Sequence, residues 1–308
     1  LEDAVLTAAG GSWVYDGAAH EAAAKLEHAP GYTIYYKAGN GEWSTVAPNV
    51  TNVSEGLVTV SVKATKTGYE DLTTDDVTLQ ITPKTATITV DNAEKFFDEE
   101  DPAFTGTVTD LVNESDLGTV SYKRTNAEEA VGIYKEVLTA EFTANSNYNV
   151  IVQKGDFQIK TAAITGAALT AAGGSWVYDG NAHRAEAIVE NADGYTIYYK
   201  TEGGAWSTEV PSVTNVSDGK VTVSVMAVKT GYEDLNTEDV TLEITPREAT
   251  IVVDDAEKFF DEKDPVFTGT KNNLVKEEDL GTVTYRRTNT AEEVRTYPDV
   301  LTADYVAN

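Results

Sequence analysis

The chain repeats itself, and this repeat constrains its fold more than any other feature. Position 7 aligns with position 170, and from there residues 7–145 match residues 170–308 without a gap, with 95 of 139 pairs identical. The stretch Gly-Ser-Trp-Val-Tyr-Asp-Gly at 11–17 returns unchanged at 174–180. Identity over so long a segment indicates tandem duplication of a whole structural unit, long enough for one or two globular domains.

A weaker echo lies inside each repeat. Val-Tyr-Asp-Gly at 14–17 is followed by Phe-Phe-Asp-Glu at 96–99, and alternating segments follow both. We therefore predict four domains of roughly 80 residues. Their expected bounds are 1–83 (A), 84–161 (B), 162–246 (A′) and 247–308 (B′). Residues 147–160 have no counterpart in the second repeat, so we expect B′ to be incomplete.

Apolar and polar residues alternate along several segments, as in half-buried strands. The clearest are 58–65, 76–81 and 86–91, and no segment shows a helical stripe. The fold class expected is all-β, a tandem array of four small Ig-like β-sandwich domains. Pro83 and Pro246 lie at the joints, where a fixed φ keeps a connection stiff. The array should form an elongated rod.

One predicted hairpin joins residues 32–37 to residues 42–45 through the Gly-rich loop 38–41. A four-residue loop would place Tyr36 opposite Trp43. We therefore expect Trp43 on the buried face, beside Ile34 and Tyr36.

Composition excludes several classes of function. The 23 Lys+Arg against 51 Asp+Glu give a net charge of −28, which repels nucleic-acid phosphates and anionic lipids. The chain has no cysteine and no apolar run long enough to span a membrane. It starts at Leu1 without a signal-peptide pattern, as expected for a segment of a longer surface protein. We expect this segment to be monomeric.

No motif for catalysis or cofactor binding is present, so we expect no enzyme activity, no cofactor and no metal. The acidic clusters at 98–101 and 261–264 fit structural turns better than calcium loops, since Lys263 interrupts the second. A self-formed isopeptide bond remains open as an alternative, because Lys95 and Lys258 are kept in both repeats.

Domain B resembles the MBG-type repeat of bacterial surface proteins, through the stretch 93–102, Gly106 and Asn-Tyr-Asn-Val at 147–150. Domain A resembles a companion Ig-like repeat, through Tyr-Asp-Gly at 15–17 and the segment 58–69. Arg295 departs from the MBG pattern, which has Gly132 at that position in B. The resemblance implies an extracellular bacterial adhesin in which such repeats serve as stalks or binding modules.

Exposed tyrosine and lysine side chains kept in both repeats are the candidate ligand-binding residues, because tyrosine is favoured at binding surfaces. They are Tyr35, Lys37 and Tyr69, with their counterparts Tyr198, Lys200 and Tyr232. The expected partner is a host protein or glycoprotein, with immunoglobulin ahead of mucosal glycoprotein because strand edges can pair and no sugar-stacking platform is evident. The alternative is a passive stalk that projects another domain from the cell wall.

Overall fold

The structure is a computed structural model that describes residues 3–306. Positions 1–2 and 307–308, the outer ends of the expected domains A and B′, lie outside the described residues. The chain divides into two compact units, Leu1–Thr161 (unit 1) and Ala162–Asn308 (unit 2). The division falls at the expected boundary between B and A′, whereas the further division into four domains stays a prediction.

The first half of unit 1 is built around one mixed sheet. The strands are β1 (Val5–Ala9), β2 (Gly11–Val14), β3 (His20–Glu21), β4 (Ala23–Glu27), β5 (Thr33–Ala38), β6 (Asn49–Val50), β7 (Val58–Thr65), β8 (Leu72–Thr73) and β9 (Val77–Thr82). The main sheet has the order β2-β9-β7-β5, with β8 also paired to β7. Strand β2 runs parallel to β9, and the other pairs in this sheet are antiparallel. Two small antiparallel pairs, β1-β4 and β3-β6, and a 3-10 turn at Val53–Glu55 complete this half.

The second half of unit 1 is a two-sheet sandwich. The strands are β10 (Lys84–Val90), β11 (Ala93–Phe96), β12 (Gly106–Thr109), β13 (Ser121–Arg124), β14 (Gly132–Glu141), β15 (Tyr148–Gln153) and β16 (Gly155–Lys160). One sheet has the order β12-β10-β15 and the other β11-β16-β14-β13. Val90, Leu138, Phe157 and Ile159 form the buried cluster of this half, with side chains from both sheets.

Period-two alternation places the core residues, as the sequence predicts. In β7 the side chains of Val60, Val62 and Ala64 are buried while their neighbours are partly exposed. Strands β9 and β10 alternate in the same way. The all-β fold class is therefore confirmed, and helical structure in the described residues is limited to short 3-10 turns.

The two halves of unit 1 share a core. Pro83 is the single residue between β9 and β10. One buried cluster runs from Tyr15 and Val60 in the first half to Ile88 and Tyr148 in the second. The joint is thus stiffened by packing as well as by the fixed φ of proline.

Unit 2 repeats the first half of unit 1 closely. Its strands there are β17 (Ala168–Ala172), β18 (Gly174–Val177), β19 (His183–Arg184), β20 (Glu186–Glu190), β21 (Thr196–Thr201), β22 (Ser212–Val213), β23 (Val221–Val228), β24 (Leu235–Asn236) and β25 (Val240–Thr245). The main sheet, β18-β25-β23-β21 with β24 on β23, has the topology of its counterpart in unit 1. A 3-10 turn at Val216–Asp218 is also repeated.

The second half of unit 2 forms fewer strands than its counterpart. They are β26 (Thr250–Val253), β27 (Gly269–Asn272), β28 (Thr284–Arg287) and β29 (Leu301–Asp304), with a 3-10 turn at Glu277–Leu280. They form two separate pairs, β26-β27 and β28-β29. Arg295 lies outside any strand, whereas Gly132 begins β14, so the two repeats differ at this position. Among residues 3–306, no helix is long and apolar enough to cross a membrane.

Candidate binding surface

Strand β5 places two of the candidate residues on the outer face of its sheet. Tyr36 is buried, and alternation puts Tyr35 and Lys37 on the opposite face. Tyr35 lies directly across from Lys63 of the neighbouring strand β7. Strand β21 repeats this arrangement with Tyr199 buried.

Trp43 also belongs to this outer face, so the expectation that it is buried is wrong. The residue opposite Tyr36 is Ser44, and the pair exchanges two backbone hydrogen bonds of 2.7 and 2.9 Å. A shift of register by one residue moves a side chain to the other face of a sheet. Trp43 is accordingly 37% exposed.

Lysine ammonium groups lie over the exposed tryptophan rings. The Nζ atoms of Lys37 and Lys63 are 5.2 and 4.7 Å from the centroid of Trp43. These distances are typical of cation–π contacts. We call Tyr35, Lys37, Trp43 and Lys63 the aromatic–lysine face of unit 1.

The second repeat keeps this surface with one difference. Trp206 is 38% exposed, and the Nζ atom of Lys200 lies 5.0 Å from its ring centroid. Met226 occupies the position of Lys63, across from Tyr198. The aromatic–lysine face of unit 2, made by these four residues, therefore carries one lysine instead of two.

Tyr69 belongs to a separate group, which we call the tyrosine turn and which comprises Tyr32, Lys66 and Tyr69. The Nζ atom of Lys66 lies 4.4 Å from the ring centroid of Tyr69 and donates a 2.8 Å hydrogen bond to the Pro30 carbonyl. The Tyr32 hydroxyl donates to the Glu70 carbonyl at 3.1 Å. These bonds fix the turn, and Tyr69 remains 51% exposed.

The tyrosine turn of unit 2 is formed by Tyr195, Lys229 and Tyr232. Lys229 has the same 4.4 Å distance to the ring of Tyr232. Tyr232 is only partly exposed and pairs with Ala162 through a parallel β-bridge. The six candidate residues thus fall into two groups in each repeat, and the strand group is the one completed by an exposed tryptophan.

The histidines after the Asp-Gly turns are held by structural contacts. His183 Nε2 lies 3.1 Å from Asp179 Oδ1, and its ring stacks on Trp176 with centroids 4.6 Å apart. Backbone and side-chain hydrogen bonds from Asn181, followed by the His183 contact, lower the pKa of Asp179 to about 2. The same triad recurs in unit 1 with Trp13, and it explains why the histidine is kept in both repeats.

The acidic cluster at 98–101 contributes to an ion network. Asp101 pairs with Lys95 at 2.9 Å and with Arg124 at 3.0 Å. Glu129 bonds the same two cations, and its hydrogen bond is the main cause that raises the pKa of Lys95. The isopeptide alternative requires a buried lysine beside an acid, and Lys95 meets this requirement, although its raised pKa favours the charged amine over the neutral one that would react. Among residues 3–306, no group of three or more His, Cys, Asp or Glu side chains could hold a metal ion.

Comparison with protein families identifies one segment. Residues 86–158 match the family described as MBG domain (YGX type). The match lies inside the expected domain B and agrees with the resemblance seen in its sequence. No curated protein matches the chain.

Several solved structures of multidomain proteins are similar to this chain at low sequence identity. A structure titled for host cell surface retention of a 1.5-MDa bacterial ice-binding adhesin is 13% identical, with a TM-score of 0.28 over 79% of this chain and 98% of that one. Fibronectin(III)-like modules of Clostridium thermocellum CbhA are 10% identical, with a TM-score of 0.21 over 79% and 95%. The four N-terminal Ig domains of Dscam1 isoform 8.4 are 10% identical, with a TM-score of 0.20 over 96% and 89%. None of these three similarities carries an argument about the function of this chain.

Proposed function

We propose that the chain is a non-enzymatic binding segment of a bacterial cell-surface adhesin that engages a host glycoprotein through its aromatic–lysine faces. The observation that carries the proposal is the exposed tryptophan beside a lysine in both repeats, at Trp43 and Trp206. The MBG match of residues 86–158 supports an adhesin-type protein at the bacterial surface.

The chemistry of this surface suits an acidic sugar. A flat indole can pack against the apolar face of a sugar ring, while an ammonium group attracts a carboxylate or sulfate. Among the described residues Lys37 has no carboxylate partner and contacts only the Trp43 ring through its ammonium group, so its charge is available to a ligand. Lys63 is partly neutralised, because its Nζ atom lies 3.6 Å from Asp71 Oδ2. On a chain with a net charge of −28, a positive patch beside an exposed aromatic ring would select an anionic ligand locally.

Immunoglobulin was the partner expected from the sequence, and the register of the hairpin reduces its support. Strand pairing with another sandwich needs a free edge. At the outer edge of β5 the backbone of Tyr36 is already bonded to Ser44 in both directions. Immunoglobulin was also favoured because no aromatic platform for sugar stacking was evident in the sequence. The exposed ring of Trp43 offers such a platform. Sialylated or sulfated glycan on a mucosal glycoprotein is therefore the ligand that we propose.

The duplication would increase the strength of binding. Two linked sites can raise apparent affinity by roughly 10² to 10⁴ when the target is itself multivalent. Mucosal glycoproteins present many glycans on one chain, so a single molecule could engage both faces.

Binding of the full chain to immobilised mucin tests this proposal. Trp43→Ala, Trp206→Ala and the double variant should be compared with the parent on mucin, on desialylated mucin and on immunoglobulin. Loss of an aromatic contact at the centre of a binding surface costs at least about 2 kcal/mol, or more than tenfold in affinity. We expect a moderate loss for each single variant and a much larger loss for the double variant.

Leu57→Ala is the matched control, because Leu57 is also exposed and apolar but is replaced by Lys220 in the second repeat. This variant should bind like the parent. Binding to immunoglobulin alone would select the partner expected from the sequence. Binding to neither target would return the chain to the passive-stalk alternative.

A further inference from the structure

The hairpin loop before Trp43 contains the one Asn-Gly pair in the sequence. Asn40 and Gly41 lie between strand β5 and Trp43, and both residues are exposed. Side-chain amides are chemically labile, and an asparagine followed by glycine reacts most readily because glycine has no Cβ to shield its backbone nitrogen. This pair therefore marks a place where the chain can modify itself.

The atom that would attack the Asn40 side chain is the backbone nitrogen of Gly41. Its N–H donates a 2.9 Å hydrogen bond to the Ala38 carbonyl, and attack requires this bond to open. Water reaches this exposed turn and can replace the carbonyl oxygen, so opening costs little free energy. The reaction should therefore follow the opening of the turn, and it should be faster at higher pH because the nitrogen must lose its proton to react.

Nearby asparagines are protected by their surroundings. Asn49 precedes Val50, a β-branched residue that is fully buried in strand β6. The side-chain oxygen of Asn52 accepts a 2.9 Å hydrogen bond from Asn147, which holds the amide group in place. Reactivity in this part of unit 1 is thus expected at the loop and not at these two positions.

The second repeat does not have the reactive pair. Gly203 takes the place of Asn40, and the following glycine, Gly204, closes the same turn with a 2.9 Å hydrogen bond to the Thr201 carbonyl. The turn is therefore formed without the asparagine, and unit 2 provides an internal control.

We propose that Asn40 is a self-modification site that deamidates and so weakens the binding face of unit 1 with time. The Gly41 nitrogen attacks Cγ of Asn40, the Cγ–Nδ2 bond breaks, and the amide nitrogen leaves as ammonia with the proton of Gly41. Water then opens the resulting cyclic imide at either of its two C–N bonds. One product is aspartate, and the other is isoaspartate, in which the main chain runs through Cβ and Cγ.

Both products change the aromatic–lysine face of unit 1. Each adds a carboxylate to the loop that joins Lys37 to Trp43, and an exposed charge repels an anionic ligand over about 10 Å at 0.1 M ionic strength. Isoaspartate also lengthens the main chain of the loop, which disturbs the pairing of Tyr36 with Ser44 that keeps Trp43 on the outer face. The effect on binding rests on the proposed function, whereas the modification itself does not.

Incubation of the full chain at mildly alkaline pH, followed by trypsin digestion and mass spectrometry, tests the modification. Trypsin releases residues 38–63 as one peptide and residues 201–220 as its counterpart. We expect the first peptide to gain the difference in mass between water and ammonia at Asn40, before Asn49 or Asn52 changes, and to separate into aspartate and isoaspartate forms. The second peptide should keep its mass. No gain at Asn40, or equal gains at all three asparagines, would overturn the proposal.

Asn40→Gly is the matched control, because it gives the loop the Gly-Gly pair of the second repeat and removes the reactive amide. Hydrogen exchange and mucin binding are measured before and after incubation in a chain with Trp206→Ala, so that only the face of unit 1 is observed. Incubation should speed exchange in residues 36–44 and weaken binding by roughly two- to fivefold or more, as expected for one added like charge. The chain that also carries Asn40→Gly should show neither change.

A fresh Asn40→Asp variant separates the two effects, since it adds the charge without lengthening the main chain. It should weaken binding and leave exchange in residues 36–44 almost unchanged. Unchanged binding after complete deamidation, in a chain that still loses binding on Trp43→Ala, would overturn the effect on the binding face. If Trp43→Ala leaves binding unchanged, the proposed function fails instead, and the mass and exchange measurements still decide whether Asn40 modifies this loop.

Discussion

The side-chain amide of Asn147 joins the two halves of unit 1 through Asn52. Its Nδ2 atom donates to Asn52 Oδ1 at 2.9 Å, and its Oδ1 atom accepts the backbone N–H of Val53 at 2.8 Å. Asn147 is buried, so removal of either partner leaves a polar group without its bond in the interior. These two hydrogen bonds add to the packing that holds the two halves together around Pro83.

The first prediction concerns this contact. Asn52→Ala should destabilise unit 1 by about 1–3 kcal/mol, because the amide of Asn147 loses its buried acceptor. Asn215→Ala is the matched control, since the 3-10 turn is the same in unit 2 and the hydrogen bonds of Asn215 stay within that turn among the described residues. Urea unfolding of the two variants should show a larger loss for Asn52→Ala. Equal losses of unfolding free energy in the two variants would mean that Asn52 stabilises the protein only through the contacts of its own 3-10 turn.

The second prediction concerns the central strand of the sandwich. Phe157 is fully buried in β16 and packs edge-on against Phe104, with ring centroids 5.7 Å apart. Phe157→Ala should reduce the free energy of unfolding of unit 1 by about 3–5 kcal/mol, since it removes a large side chain and leaves a cavity. Ile133→Ala, at a 59% exposed position on β14, should change it by less than about 0.5 kcal/mol. A small effect at Phe157 would mean that β16 is not central to the core.

Much of the fold could be predicted from the sequence because alternation is a local property. The segments 58–65, 76–81 and 86–91 alternate, and their ends lie within two residues of the ends of strands β7, β9 and β10. The shared core of unit 1 could not be predicted in the same way. It depends on contacts between residues that are far apart in the sequence and lie at the facing ends of the two halves. One such contact joins Tyr15 and Tyr148, whose ring centroids are 5.4 Å apart.

The candidate site was predicted only in part, for the same physical reason. Alternation within one strand places Tyr35 and Lys37 on the outer face. The position of Trp43 depends on loop geometry, where the Gly41 N–H bonds the Ala38 carbonyl at 2.9 Å and the register shifts by one residue. One signal in the sequence was informative, since Lys37 and Trp43 are kept in the second repeat while Glu42 is not.

The third prediction is a pH dependence in the Asp-Gly turn of unit 2. The pKa of Asp179 falls from 3.8 to about 2, mainly through the backbone N–H of Asn181. A lowered folded-state pKa stabilises the protein above pH 3.8, and this stabilisation is lost as the pH falls through about 2. Asp179→Asn should therefore be less stable than the parent near neutral pH, and the difference should disappear near pH 2. Thermal unfolding across this range measures it, and a constant difference at all pH values would contradict the assignment.

The fourth prediction uses the one difference between the two aromatic–lysine faces. Lys63 lies 4.7 Å from the Trp43 ring, and Met226 takes its place beside Trp206. If the ligand is an acidic glycan, Lys63→Met should weaken binding at unit 1 by about 0.5–1 kcal/mol, or roughly two- to fivefold. Met226→Lys should strengthen binding at unit 2 by a similar factor. Each exchange is made in a chain whose other face carries the tryptophan-to-alanine change, so that only one site is measured.

Salt provides the control for this exchange. Attraction between exposed charges is screened over about 10 Å at 0.1 M ionic strength, so the lysine effect should shrink as salt is added. The contribution of the tryptophan ring should change much less, because apolar packing is not screened. If Lys63→Met weakens binding, Met226→Lys strengthens it, and both effects shrink as salt is added, then the anionic group of the ligand contacts the lysine at this position. Unchanged affinity in both exchanges would place the charge contact elsewhere, at Lys37 and Lys200, which the two repeats share.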